Sequence, residues 1–279
     1  MRKVFFGLLL LLSISFGCSK DEPVTLVPVE EYLDLSYGKN SRQKMDVYLP
    51  EGRGADTEMV ILLHGGAWFE GDKVSLSEVA KYLRSRGYAC ANMNYRLTNT
   101  PENNIHPAQV NDVGAAIDFI EDNASEWQIA QGKIALIGAS AGGHIGLLYT
   151  YQKNDNRVKT VVSVAGPTNL TDTRDVNPPT VRAVEWLLGT SYQVNPEIYR
   201  EASPVTHVKA GSRPTLIFHG GQDAVVPVEQ AQELKSTLDQ FGVINKLIIY
   251  PDTGHEVLDN SKVPAFLQEV EGWLITHLK

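Results

Sequence analysis

Cysteine is nearly absent: Cys18 and Cys90 are the only two in 279 residues. Two cysteines allow one internal disulfide at most, so no disulfide framework holds the chain. No His and Cys spacing fits a zinc site, so no metal is expected. Clusters of Lys and Arg are missing too. The chain carries 25 basic and 33 acidic residues, a formal net charge of -8. Neutralising phosphates needs clustered cations, so nucleic acid is excluded as the main partner. No G-x-G-x-x-G follows the first parallel strand, which removes the usual dinucleotide cradle, and no cofactor is expected. There are no internal repeats and no low-complexity tracts. The apolar stretch Val4 to Ile14 is too short for a comfortable membrane span. With 43% hydrophobic residues the chain can still bury a sizeable core, and α/β folds of this length are commonly one domain.

The first residues stand apart from the fold. Arg2 and Lys3 form a positive n-region, Val4 to Ile14 an apolar h-region, and Ser15-Phe16-Gly17 places small residues before Cys18. This is a signal peptide over residues 1–17, and it resembles a bacterial lipoprotein signal, in which cleavage leaves the Cys18 thiol to carry lipid. The plainer alternative is ordinary secretion with an accidental cysteine. Cleavage removes two basic residues and no acidic one, so the net charge moves from -8 to -10. Residues 18–28 read as a tether, because Ser19-Lys20-Asp21-Glu22-Pro23 is polar, acidic and proline-terminated. It is similar to the short acidic signals that send some Gram-negative lipoproteins to the outer leaflet of the outer membrane. The expectation is a chain anchored by lipid to a bacterial membrane, the outer one, on its periplasmic or cell-surface face, touching the membrane through the anchor only. Cys90, inside the apolar run Tyr88 to Met93, reads as a buried structural thiol.

From residue 29 to 279 the pattern is that of one domain. Residues 30–50 alternate apolar and polar side chains, as half-buried antiparallel strands do. Met59 to Leu63 is a continuous apolar run, hence a central strand. A helix follows with Leu76, Val79, Ala80 and Leu83 at helical spacing, then the strand through Cys90, then a helix carrying Val110, Val113, Ala116, Ile117 and Ile120. Ile134 to Ile137 and Val158 to Val164 are further strands. Residues 167–210 break the rhythm. They are rich in Pro, Thr and Asn, with one helical piece, Val181 to Leu188, and read as a small cap inserted over the C-terminal edge of the sheet. Alternation then resumes with a strand at Thr215 to Phe218, a helix at Val228 to Phe241, a strand at Lys246 to Tyr250 and a helix at Val263 to Leu278. This order predicts an α/β fold with a mostly parallel central sheet and helices on both faces.

One turn organises the chemistry. Gly138-Ala139-Ser140-Ala141-Gly142 joins the Ile134 strand to a helix starting at His144, and a serine on so sharp a turn is a nucleophile elbow. The flanking glycines relieve the clash, and Ser140 projects at the edge of the sheet. A serine needs a base and an acid to orient that base. Two loops after strand ends supply candidates: His219 to Pro227 carries Asp223, and Pro251 to Glu256 carries His255. The order Ser, Asp, His is that of α/β-hydrolases. Asp252 is the rival acid, three residues from His255. His64 and His219, at strand ends, are expected to satisfy backbone groups; His144 lies on the elbow helix, and His106, His207 and His277 lack a strand-end position. Acyl transfer also needs N–H donors for the oxyanion. These are expected from Ala141 and, in the glycine-rich loop after Met59 to Leu63, from Gly66 and Ala67.

Several segments together carry a resemblance: HGGAWFEGDK at 64–73, NYRL at 94–97, HPAQVNDVGAAIDF at 106–119, GASAGG at 138–143, HGGQDAVVP at 219–227 and TGH at 253–255. From about residue 40 to the end the chain resembles a serine carboxylesterase of the α/β-hydrolase superfamily, in the branch related to hormone-sensitive lipase. That branch usually has HGGG, and Ala67 replaces the third glycine. HGGAW with GDK is similar to bacterial feruloyl and acetyl esterases that deacylate plant polysaccharides. The resemblance implies ester hydrolysis by Ser140, His255 and Asp223, on a small-molecule or oligosaccharide ester. A peptidase or amidase is the alternative, since kynurenine formamidases share a related loop and the Asp223 turn is similar to that of prolyl-oligopeptidase-type peptidases. A catalytically inactive binding protein of the same fold is the alternative of another class. The cap residues Asn169, Thr171, Asp172, Thr173, Arg174, Asp175 and Asn177 suit hydroxyl-rich ligands, and this favours acetyl or feruloyl groups on carbohydrate. Trp68, beside the oxyanion loop, could meet the acyl group or a sugar face, or belong to the core. The sequence leaves the oligomeric state open.

Overall fold

A computed structural model describes residues 26–98, 102–172, 177–257 and 261–278. The signal peptide, Cys18, most of the tether and the cap residues Thr173, Arg174 and Asp175 lie outside the described residues. The sheet is built from short apolar runs. Glu30–Ser36 (β1), Lys44–Leu49 (β2), Met59–Leu63 (β3), Ala89–Asn94 (β4), Ile134–Ala139 (β5), Val158–Val164 (β6), Thr215–Gly220 (β7) and Asn245–Tyr250 (β8) lie in the order β1-β2-β4-β3-β5-β6-β7-β8. From β4 to β8 all pairs are parallel, and β1 and β2 add an antiparallel margin. The helices are Ser77–Ser85 (α1), Ala108–Trp127 (α2), Ala141–Lys153 (α3), Pro178–Leu188 (α4), Pro196–Glu201 (α5), Val228–Gln240 (α6) and Val263–His277 (α7). Together these make the α/β-hydrolase fold.

Alternate strand residues feed two cores. Ile61, Leu63, Leu136, Val161 and Ile217 pack with α2, α3 and α6 on one face. Val60, Leu62, Ile137, Val162 and Phe218 pack with α1 and α7 on the other. A sheet covered on both faces needs apolar side chains at every position, which is why β3 to β7 read as runs and not as alternations. Cys90 is buried in the second core, and burial pushes its thiol pKa up, away from reactivity. The strand order reverses around β3: β4 lies on one side of it and β5 on the other. Loops leaving β3 and β5 therefore diverge and open a crevice at their C-terminal ends.

Three details differ from the sequence-based expectation. β1 is half-buried as expected, but β2 is covered on both faces, with Met45, Val47 and Leu49 in one core and Tyr48 in the other. Asp46, which looked like a solvent-facing position, is buried and accepts from Lys73 Nζ at 2.7 Å. The elbow helix begins at Ala141, not His144. The 167–210 segment holds α4 and a second short helix, α5. α4 is locally specified: the Asn177 side chain accepts from the Thr180 N–H, Pro178 and Pro179 occupy its first turn, and Gly189 ends it in the left-handed conformation.

Candidate active site

Ser140 sits between β5 and α3 with φ 50 and ψ −118. A positive φ on a non-glycine residue costs about 1–3 kcal/mol and persists only when the surroundings impose it. Here they do. The Ser140 N–H donates to Val164 O at 2.7 Å, and Ser140 O accepts from the His144 N–H at 3.0 Å. A Cβ on Gly138 would stand 2.3 Å from Gly142 O, and one on Gly142 would stand 2.2 Å from Leu63 O. Only glycine lets the elbow close on itself and α3 press against the end of β3.

The loops after β7 and β8 bring the two partners in. His255 Nε2 lies 2.9 Å from Ser140 Oγ, and His255 Nδ1 lies 2.8 Å from Asp223 Oδ2. Asp252 stands exposed in the turn after β8, so His255 is oriented by Asp223. The other oxygen, Asp223 Oδ1, accepts from the N–H groups of Val225 and Val226 at 2.8 and 2.9 Å. Burial pushes the Asp223 carboxyl up, but hydrogen bonds from His219, His255 and the Val226 N–H outweigh it and hold it well below the usual carboxylate range. The acid of the chain is thereby kept ionised.

The loop after β3 faces the elbow. Gly66, Ala67 and Trp68 have φ of 115, 46 and 65 in succession, and Gly66 O accepts from the N–H groups of Phe69 and Glu70 at 3.1 and 3.0 Å. A side chain on Gly66 would meet Glu70 O at 2.3 Å. Ala141 is the first residue of α3, so its N–H has no intrahelical acceptor. Ala67, Ser140 and Ala141 share the wall of one cavity of about 450 Å³, and Gly66 is not among the residues that line it. His64 braces the loop: its Nδ1–H donates to Gly65 O at 2.6 Å, its ring stacks on Tyr95 at 4.4 Å, and burial lowers its pKa to about 4.

Trp68 lines the same cavity but is only 2% exposed, so it belongs chiefly to the core. Its indole N–H donates to His144 Nδ1 at 3.1 Å, and His144 Nε2–H donates to Ala202 O at 2.8 Å. This chain ties the β3 loop, the elbow helix and the segment after α5 together. Sequence reading missed it, because Trp68 and His144 are 76 residues apart and no local pattern pairs them. The rest of the cavity wall is largely apolar, with Phe69, Pro167, Pro179, Ala183, Val225 and Val226. The polar cap residues divide. Asn177 and Thr180 reach this cavity, whereas Asn169, Thr171 and Asp172 line a separate groove of about 560 Å³ with Glu229, Gln230 and Glu233 of α6. Gln230 Oε1 draws that stretch toward α6 by accepting from the Thr168 and Asn169 N–H groups at 2.8 and 3.1 Å. Among the described residues no group of three or more His, Cys, Asp or Glu is placed to hold a metal ion.

With this geometry in place, the model of one protein family, BD-FAE, matches residues 45–238. The chain belongs to the BD-FAE family. Curated relatives agree in broad type. A probable carboxylic ester hydrolase, LipM of Mycobacterium tuberculosis, is 29% identical over 230 residues, 76% of this chain and 52% of its own length. An isoprenylcysteine alpha-carbonyl methylesterase of Arabidopsis thaliana is 26% identical over 241 residues, 79% of this chain and 55% of its own length. This BD-FAE chain thus spans about half the length of the curated relatives it matches. Among solved structures, a truncated carbohydrate esterase from gut microbiota superposes with a TM-score of 0.74 at 23% identity, covering 86% of this chain and 95% of that one. An acetyl ester-xyloside bifunctional hydrolase from Caldicellulosiruptor lactoaceticus gives a TM-score of 0.71 at 22% identity, covering 84% and 88%. At these identities the likeness shows the fold of this BD-FAE chain alone.

Proposed function

We propose that this chain is a serine carboxylic-ester hydrolase, and the observation that carries the reading is the unbroken contact from Ser140, in the wall of a 450 Å³ cavity, through His255 to Asp223. Ser140 Oγ attacks the ester carbonyl. His255 takes its proton and later returns it to the departing alcohol, and Asp223 holds the imidazole in the tautomer that presents an unprotonated Nε2 to the serine. The backbone N–H groups of Ala67 and Ala141, both on the wall of the Ser140 cavity, and that of Gly66 are the donors for the oxyanion in this reading. The test is Ser140→Ala in the folded chain: ester turnover falls by several orders of magnitude. Turnover within tenfold of the parent would remove the assignment.

For the substrate, the supporting feature is the contrast between two spaces. The space beside Ser140 is apolar and suits an acyl group as large as an aromatic acid. The separate groove of Asn169, Glu229 and Glu233 is polar and suits a hydroxyl-rich ligand. We therefore infer acetyl or feruloyl esters of carbohydrate as the substrate class. Release of acetate from acetylated xylan oligosaccharides, or of ferulate from methyl ferulate, is the expected result. A specificity constant that rises steadily from acetate to palmitate esters, with no such release, points to a lipase instead. We also propose that Cys18 carries lipid and anchors the chain to a bacterial outer membrane. Mass spectrometry of the mature N-terminus decides this, since an unmodified Cys18 or cleavage elsewhere removes the claim.

A further inference from the structure

His219 lies at the end of β7, fully buried, and Asp223 lies one turn further on. Its Nε2 is 2.8 Å from Val226 O and 3.3 Å from Asp223 Oδ2. A carbonyl oxygen only accepts, so the nitrogen beside it must carry the proton. That assigns the Nε2–H tautomer, with the proton directed at the Val226 carbonyl and the Asp223 carboxylate oxygen 3.3 Å from the same nitrogen. The other ring nitrogen, Nδ1, is buried and has no hydrogen-bond partner among the described residues. A proton placed there would be a buried N–H without an acceptor, so the geometry favours the proton on Nε2 alone. Meeting the backbone carbonyl alone does not account for the placement of the ring, because Nε2 also reaches the same carboxylate oxygen that His255 Nδ1 uses.

We propose that His219 is a positioning residue for Asp223, donating its Nε2 proton to Oδ2 so that this oxygen is shared between two histidines and aimed at His255. The role rests on the reading of Asp223 as the acid of the triad. Four donors then surround the carboxylate. The Val225 and Val226 N–H groups hold Oδ1, and His255 and His219 hold Oδ2. The titratable side chains in contact with the carboxylate are His219 from β7 and His255 from the loop after β8. Two N–H groups on Oδ1 leave the carboxylate free to rock about the line that joins them. The His219 contact removes that freedom and takes part of the charge that His255 would otherwise meet alone.

Three measurements on the full chain test this. Imidazole spectra of the ¹⁵N-histidine-labelled protein should show His219 as the neutral Nε2–H tautomer; an Nδ1–H tautomer has no proton to give Asp223 and overturns the proposal. His219→Phe keeps a flat ring and removes the donor. Its kcat/KM for p-nitrophenyl acetate should fall about ten- to a hundredfold, as other residues that orient a histidine-bound partner do when replaced. A carboxylate with one donor fewer also holds the protonated His255 more tightly, so the acidic limb of kcat/KM should move to higher pH. His219→Gln, which restores an N–H donor at the same reach, should recover most of the activity and return the limb. If both variants lose activity alike, with the limb unmoved and only the thermal midpoint lowered, His219 is a packing residue and the proposal fails. Should His219→Phe not fold, the tautomer and the Gln variant still decide. Full turnover in Asp223→Asn would instead remove the triad reading itself. An inactive Asp223→Asn beside an unmoved limb in His219→Phe removes only the role of His219.

Discussion

Two strands of the sheet end in the same tripeptide, His-Gly-Gly. After β3 it is His64-Gly65-Gly66, and from the end of β7 it is His219-Gly220-Gly221. Both histidines are fully buried, yet the copies solve different problems. In the first, Gly66 takes φ 115 and the loop folds back on itself, with His64 bonded to the carbonyl of its own neighbour. In the second, neither glycine has a positive φ; a Cβ on Gly220 would instead stand 2.1 Å from Gly254 O, in the loop that carries His255. One glycine meets a conformational demand and the other a packing demand. The first loop folds back onto its own Gly66 carbonyl, while the second leaves room for a neighbouring loop to bring a side chain in. Identical residues at strand ends therefore do not predict identical roles.

The largest effect that tests this contrast belongs to the second loop. Asp223→Asn keeps the shape but favours the wrong His255 tautomer, and kcat should fall by about 10⁴. A mild Asp223→Asn beside a severe Asp252→Asn would move the acid out of this loop altogether. Next comes the first loop. Gly66→Ala forces a side chain against Glu70 O and tilts the oxyanion donors, which should cost roughly 10²–10³ in kcat with little change in the circular dichroism of the fold. An unaltered kcat would mean that the loop does not hold the oxyanion.

A third effect concerns the buried histidine of the first loop. Burial lowers the His64 pKa from 6.5 to about 4. On unfolding it returns to its ordinary value, so between these limits the unfolded chain binds the extra proton and stability rises with pH. Going from pH 7 to pH 5 should therefore lose about 2 kcal/mol through His64 alone, read from urea midpoints. His144, whose pKa burial also lowers to about 4, adds a loss of the same sign. Equal midpoints at the two pH values would show that neither ring is held neutral. The smallest effect sharpens the link between loop and core. Trp68→Phe removes the donor to His144 Nδ1 and should lower stability by about 1–3 kcal/mol, visible as a drop in the thermal midpoint. An unchanged midpoint would show that the bond adds nothing beyond packing.

What the sequence determined by itself was local or periodic. Parallel strands between covering helices show as apolar runs, and β6, spanning Val158–Val164, could be read to the residue. The elbow was legible because its conflict is local: Gly138 and Gly142 are spaced so that each would collide with the turn or the strand beside it if it bore a Cβ. The tertiary structure alone decided which groups meet across the chain. Ser140 and His255 are 115 residues apart, and no periodicity spans that distance. Asp223 could be set above Asp252 from the sequence, because it sits in a turn at a strand end, but its contact with His255 exists only where the β7 and β8 loops converge. Asp46 is buried because α1 covers β2 and Lys73 reaches it, a fact that the alternation of β2 argued against. The polar cap stretch turned toward α6 for the same kind of reason: the Gln230 side chain offered the Thr168 and Asn169 N–H groups an acceptor. Hydrogen-bond demand is carried by each residue, but the partner that meets it is set by the packing of distant segments.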